Sequence, residues 1–132
     1  MQISYFTENY TNGKGVFFSH VTGEVKELFE EVLALNYGGM KEEFSDVVAF
    51  FQMWLYCRYH INGSLWTYGM PSFEKFMSRR AVWNKIYAQV GLQENISRFC
   101  GNYERKEKVV AHLREFGISE EAALAAYAEI VT

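Results

Sequence analysis

The sequence predicts an all-α fold, a helical bundle of about four to five helices. Three observations carry that prediction. Apolar residues recur at steps of three and four through long stretches. A single proline and ten glycines interrupt 132 residues. Aromatic side chains, 17% of the chain, are numerous enough for a dense core. The length fits one domain, residues 1–132, able to bury roughly two-thirds of its extended-chain surface without disulfides or a structural metal.

Residues 1–20 show no clear period and are expected to form a short element followed by a loop around Thr11-Asn12-Gly13-Lys14-Gly15. From about Phe18 the pattern turns helical: Val21, Val25, Leu28, Val32 and Leu35 form one stripe of a 3.6-residue helix, expected to face the core, and Gly38-Gly39 is expected to stop it. A second helix, roughly Lys41 to His60, is apolar nearly all round, as befits the central helix of a bundle, and the short link makes the two antiparallel neighbours. Asn62-Gly63-Ser64 and Gly69-Met70-Pro71-Ser72 mark a loop, with Ser72 as cap of a third helix through Phe73, Phe76, Met77, Trp83 and Ile86 that Gly91 ends. One more helix is expected near Tyr103–Phe116 and another after Ser119, where Glu120 and Glu121 suit the positive end of the helix dipole. Internal repeats and low-complexity tracts are absent from the sequence.

The formal charge of −3 argues against a nucleic-acid partner, whose phosphate backbone demands a surplus of Lys and Arg. The charge is unevenly spread. Residues 24–46 carry Glu24, Glu27, Glu30, Glu31, Glu42, Glu43 and Asp46 against Lys26 and Lys41, whereas residues 75–114 carry nine Lys and Arg against Glu94, Glu104 and Glu107. Cys57 and Cys100 form no metal-spaced pair and no signal-peptide pattern opens the sequence, so free thiols and a cytoplasmic location are expected. The longest apolar run, Val47 to Cys57, is about half a bilayer crossing and contains Gln52, which excludes a membrane span.

Within the acidic block one spacing is repeated: Glu24-Val25-Lys26-Glu27 on the first helix and Glu43-Phe44-Ser45-Asp46 on the second. Residues three apart are neighbours on one helix face, so four hard oxygen donors converge from two antiparallel helices. That donor set suits Mg²⁺ or Mn²⁺ rather than a soft metal. On a helical projection Glu24, Glu27 and Glu31 flank the apolar stripe while Glu30 points away, and Asp46 shares a stripe with Phe50, Trp54 and Cys57. His20, His60 and His112 stand alone, and no HExxH, Walker loop or serine-nucleophile motif is present.

Glu24-Val25-x-Glu27-Leu28, a fifteen-residue gap, then Glu43-x-x-Asp46-Val47-Val48 resembles the ExxE…ExxD signature of the MazG-like, all-α nucleoside triphosphate pyrophosphohydrolases. The match spans roughly residues 20–57. The resemblance implies a helical bundle assembled as a homo-dimer or homo-tetramer, acting on an NTP or dNTP to release the monophosphate and pyrophosphate. It also implies Mg²⁺ held by Glu24, Glu27, Glu43 and Asp46, with Glu27 and Glu43 closest to the chemistry. Glu27-x-x-Glu30 satisfies the same signature and stands nearer to Glu43 across a tight hairpin, so Glu30 is the alternative fourth ligand. Gly23 stands where many relatives have a further glutamate. For the substrate, Asn102, Tyr103, Lys106 and Lys108 offer base, ribose and phosphate contacts, against the alternative of an ordinary charged helix start. The competing function is a non-catalytic helical interaction protein, whose acids meet a basic partner and whose aromatic surface makes an oligomer.

Overall fold

Glycine placement and capping decide where the helices begin and end. The computed structural model describes residues 1–11 and 14–131; Asn12 and Gly13 of the expected loop lie outside the described residues. Among the described residues all regular elements are helical: α1 (Ile3–Thr11), α2 (Phe18–Leu33), α3 (Tyr37–Tyr59), α4 (Met70–Gln89), α5 (Lys106–Arg114) and α6 (Glu120–Ile130), with a 3-10 turn at Thr67–Gly69. The chain forms two compact units, Met1–Phe76 and Met77–Thr132. No helix among the described residues is long and apolar enough to cross a membrane.

The first unit begins with α1, the helix that periodicity does not reveal. It is held by Ile3 and Phe6, each 1% exposed, while the Thr7 and Thr11 hydroxyls are satisfied locally by the carbonyls four residues back at 2.8 Å. One apolar turn is too short to register as a stripe. The chain start is tied to the segment after α3, where the Ile3 N–H donates to the Gly63 carbonyl and the Leu65 N–H to the Met1 carbonyl, both at 2.8 Å. Gln52 of α3 holds the same segment, donating to the Ser64 carbonyl at 3.2 Å and accepting the Trp66 N–H at 3.0 Å.

The α2–α3 hairpin departs from the expected boundaries. Leu35 takes a positive φ of 53° after α2, and Asn36 caps α3 by accepting the Gly39 N–H at 3.2 Å. Helix α3 therefore starts at Tyr37 rather than near Lys41, and Gly38-Gly39 forms its first turn instead of ending α2. Gly39 lies against the Glu31 carboxylate and the Asn36 amide, side-chain ends that a Cβ there would displace. The hairpin then pairs α2 and α3 in antiparallel register. Phe18 meets Trp54 with ring centroids 5.1 Å apart and His20 meets Phe50 at 6.3 Å, while Glu31 lies beside Gly39 at the closed end.

The face that α2 turns inward also differs from expectation. Val21 is buried and Leu28 is partly covered, but Val25, Phe29, Val32 and Leu35 are 47%, 62%, 43% and 72% exposed. The apolar stripe is wider than one neighbouring helix can cover, and α3 packs over its acidic edge, so Val21, Glu24, Leu28 and Glu31 make the less exposed row.

Helix α4 begins at Met70, directly after the 3-10 turn, so Ser72 lies in its first turn and does not cap it. Pro71 is tolerated there because first-turn N–H groups have no partner inside the helix. The second unit is built on Trp83, Ile86 and Tyr87 of α4, Val109, Val110 and Leu113 of α5, and Ala123 and Ala126 of α6. Ser119 caps α6 by accepting the Ala122 N–H at 3.2 Å. His112 is buried in this core, stacked on Phe99 at 4.0 Å between ring centroids and with Nε2 2.8 Å from the Tyr87 hydroxyl. Burial holds its pKa below the ordinary histidine value.

Candidate metal centre

The hairpin register assembles the acids. Between the His20–Phe50 contact and the Glu31–Gly39 contact, each step along α2 is matched by a step back along α3. This sets Glu24 level with Asp46 and Glu27 level with Glu43. One carboxylate oxygen each from Glu24, Glu27 and Glu43 lies within 4.8 Å of the others. Glu30 is exposed on the far side of α2 and is not part of this trio. The turn at Gly38-Gly39 that would set Glu30 level with Glu43 is not where the hairpin forms, the link being residues 34–36.

The trio is electrostatically loaded. Burial first, then the negative charges of Asp46, Glu27 and Glu43, push the Glu24 carboxyl up to about 8. Burial, a hydrogen bond with Glu27 and the charges of Asp46 and Glu27 raise Glu43 to about 7, with Lys75 pulling the other way. Two oxygens, Oε2 of Glu24 and Oε2 of Glu43, are buried without a hydrogen-bond partner. Glu27 is exposed between them.

Asp46 joins the trio through charge, while its own oxygens are engaged elsewhere. It is 8% exposed. The Lys75 ammonium donates to both of its oxygens at 2.9 Å, and the Ser72 hydroxyl donates to Oδ1 at 2.5 Å. Ser45, one residue before Asp46, lies 2.9 Å from the Ser72 hydroxyl and accepts the Ser72 N–H at 3.0 Å. Lys75 also reaches Glu42 at 3.5 Å. These groups surround a cavity of about 210 Å³ lined by Glu42, Asp46, Ser72 and Lys75. Sequence reasoning missed Ser72 and Lys75 as parts of the site. The spacing Ser72-x-x-Lys75, two polar groups one turn apart on a helix, is the signal that could have found them.

The four residues expected to contact substrate belong to the second unit. Asn102 accepts the Glu104 N–H at 2.7 Å in a local turn, and Tyr103 packs against the core of α4, α5 and α6. Lys106 and Lys108 are exposed at the start of α5, Lys106 beside a groove shared with Arg114 and Glu120. Trp83, 0% exposed, donates its indole N–H to the Gly101 carbonyl at 2.9 Å and is a core residue. Trp66 and Tyr68 are 52% and 67% exposed. No family model, curated protein or solved structure matches the chain.

Proposed function

We propose that the chain is a Mg²⁺-dependent nucleoside triphosphate pyrophosphohydrolase of the MazG-like kind, converting an NTP or dNTP to the monophosphate and pyrophosphate in the cytoplasm. The observation that carries this reading is the Glu24, Glu27 and Glu43 trio with two buried carboxylate oxygens lacking any partner. Unpartnered buried acceptors of like charge are costly, and a hard divalent cation satisfies both at once. The donor set therefore fits Mg²⁺, with Mn²⁺ as a substitute, held by Glu24, Glu27 and Glu43, while Asp46, the fourth expected ligand, is held by Lys75 and Ser72 and adds its charge beside them. When bound, such a cation polarises the phosphates and acidifies its water.

The remaining work falls to side chains of this chain. Glu27 is the trio member open to solvent, so it is placed to accept the proton of the attacking water. Glu43, within reach of the same point as Glu27, would hold the cation beside it. Lys75 adds the positive charge that a triphosphate needs beside a block of acids and fixes Asp46 meanwhile. Asn102 and Tyr103 have structural employment in the second unit, and the reading does not rest on them.

Assembly with a second copy, as a homo-dimer or homo-tetramer, is part of the same reading. Val25, Phe29 and Val32 on α2, with Phe44 on α3 at 44%, leave an exposed apolar row of the kind that subunit interfaces cover. That row also favours the second reading, a non-catalytic helical interaction protein.

The test is pyrophosphate release from a panel of NTPs and dNTPs with and without Mg²⁺, repeated on Glu27→Gln and Asp46→Asn proteins with unchanged circular dichroism. Mg²⁺-dependent turnover that falls at least ~100-fold in Glu27→Gln is expected. Absence of turnover with every nucleotide, or turnover indifferent to both substitutions, overturns the enzyme reading in favour of the interaction protein.

A further inference from the structure

Asp46 stands between an acid cluster and a lysine. On one side is the Glu24, Glu27 and Glu43 trio, in which Oε2 of Glu24 and Oε2 of Glu43 are buried without a hydrogen-bond partner. Both of those carboxyls feel the charge of Asp46. On the other side is α4, whose Lys75 ammonium donates to both Asp46 oxygens at 2.9 Å. Asp46 is buried, so water cannot take the place of the ammonium, and its charge requires a cation at that spot.

The two partners of Asp46 differ in how firmly they are placed. Ser72 is fixed in the first turn of α4: its N–H donates to Ser45 Oγ at 3.0 Å, and its hydroxyl, 2.9 Å from Ser45 Oγ, donates to Asp46 Oδ1. Lys75 is a point charge on a flexible stem, and its side chain keeps 29% of its exposure. Glu42, 60% exposed, lies 3.5 Å from the same Nζ and lines the same cavity of about 210 Å³. The ammonium therefore has a second carboxylate to turn to without losing a charged partner. Among the described residues Oδ2 is bonded by Lys75 alone, so it is the Asp46 oxygen that Lys75 can give up while Ser72 keeps the other in place.

We propose that Lys75 is a tethered cation that a divalent ion displaces: Asp46 gives Oδ2 to the ion held by the trio, Ser72 stays on Oδ1, and the ammonium turns to Glu42. This deepens the metal-dependent reading and rests on it for the identity of the ion. Lys75 is then a positioning residue that acts through Asp46. It restrains metal affinity, and it becomes free for a phosphate only once the ion is bound.

The test needs no nucleotide. Mg²⁺ is titrated by calorimetry at pH 9 into the wild type, Lys75→Met, Asp46→Asn and the double variant, each with unchanged circular dichroism. Lys75→Met should tighten Mg²⁺ binding by ~5-fold or more, since a positive charge beside the site has gone and Asp46 is released. A merely structural lysine would have the opposite effect on loss. In the Asp46→Asn background the same substitution should gain less than ~2-fold, because the contested oxygen is absent. No gain in Lys75→Met, or an equal gain in both backgrounds, overturns the proposal. A second readout uses the wild type alone: acetylation of lysines by an amine-directed reagent, followed by mass spectrometry with and without Mg²⁺. Labelling of Lys75 should rise with Mg²⁺ while that of Lys106 and Lys108 stays constant, and unchanged Lys75 labelling at saturating Mg²⁺ overturns the proposal. A protein that shows the exchange yet hydrolyses no triphosphate loses the enzyme reading and keeps the exchange. One that hydrolyses triphosphates with Lys75 indifferent to Mg²⁺ does the reverse, and one that binds no divalent ion in any variant loses both.

Discussion

Binding of a divalent cation should release protons in a pH-dependent amount that the acid cluster determines. Glu24 is raised to about 8 and Glu43 to about 7, so at pH 7 the pair holds protons that ordinary carboxyls have already lost. A cation needs both ionised. Binding at pH 7 should therefore expel between one and two protons, and progressively fewer as pH rises towards 9. Apparent affinity should rise steeply between pH 6.5 and 8 and then level. The stability of the metal-free fold carries the opposite sign. The folded carboxyls hold protons that the unfolded chain has already lost, so stability falls as pH rises from the ordinary carboxylate range at 4.5 through 7 and 8. Added cation offsets that loss. The assay is titration calorimetry of Mg²⁺ or Mn²⁺ in two buffers of different ionisation enthalpy, at several pH values. Proton release near zero at pH 7, or release that does not decline by pH 9, would refute the assignment of these acids as ligands.

Lys75→Met should lower stability by about 1–2 kcal/mol in urea titration. This is less than for a fully buried pair, because the Lys75 side chain keeps 29% of its exposure; an unchanged midpoint would mean that Asp46 does not need its counter-ion. The second unit should lose stability on the acid side: burial lowers the His112 pKa below 6.5, so the unfolded state takes up its proton first as pH falls below that value. Hydrogen exchange of the α5 amides between pH 5 and 7.5 should show that loss in the wild type and not in His112→Phe. Phe29→Asp, placing a charge in the exposed apolar row of α2, should convert an assembled protein to monomers in light scattering with helicity intact. A wild type that is monomeric at all concentrations counts against the second copy.

The helical class was legible because α3 and α4 are long and nearly unbroken. The repeated Glu24-x-x-Glu27 and Glu43-x-x-Asp46 spacing was legible because a helix face converts spacing into proximity. Their mutual register was not, since it depends on the hairpin and two sequence signals conflict there. Gly38-Gly39 reads as a helix stop, but Asn36 supplies a cap two residues earlier and both glycines lie inside the first turn of α3. The inward face of α2 was misjudged for a related reason. Periodicity locates an apolar stripe but cannot say which part of it a neighbour in the same chain will cover, and Val25, Phe29 and Val32 stay outside. Ser72 looked like a cap because it follows Gly69 and Pro71, yet its hydroxyl is spent on Asp46, 26 residues away. Long-range partners of that kind leave no local pattern.

The three-residue link between α2 and α3, with Leu35 at φ 53°, acts as a ruler. Adding or deleting one residue there would slide every facing pair by one step and rotate one helix by about 100° relative to the other. Glu24 and Glu27 would swing out of reach of Glu43 although no acid had been touched. Part of the chemistry of this chain is thus written in a length, so tolerance of point substitutions at residues 34–36 and intolerance of insertions there would be two faces of one geometry.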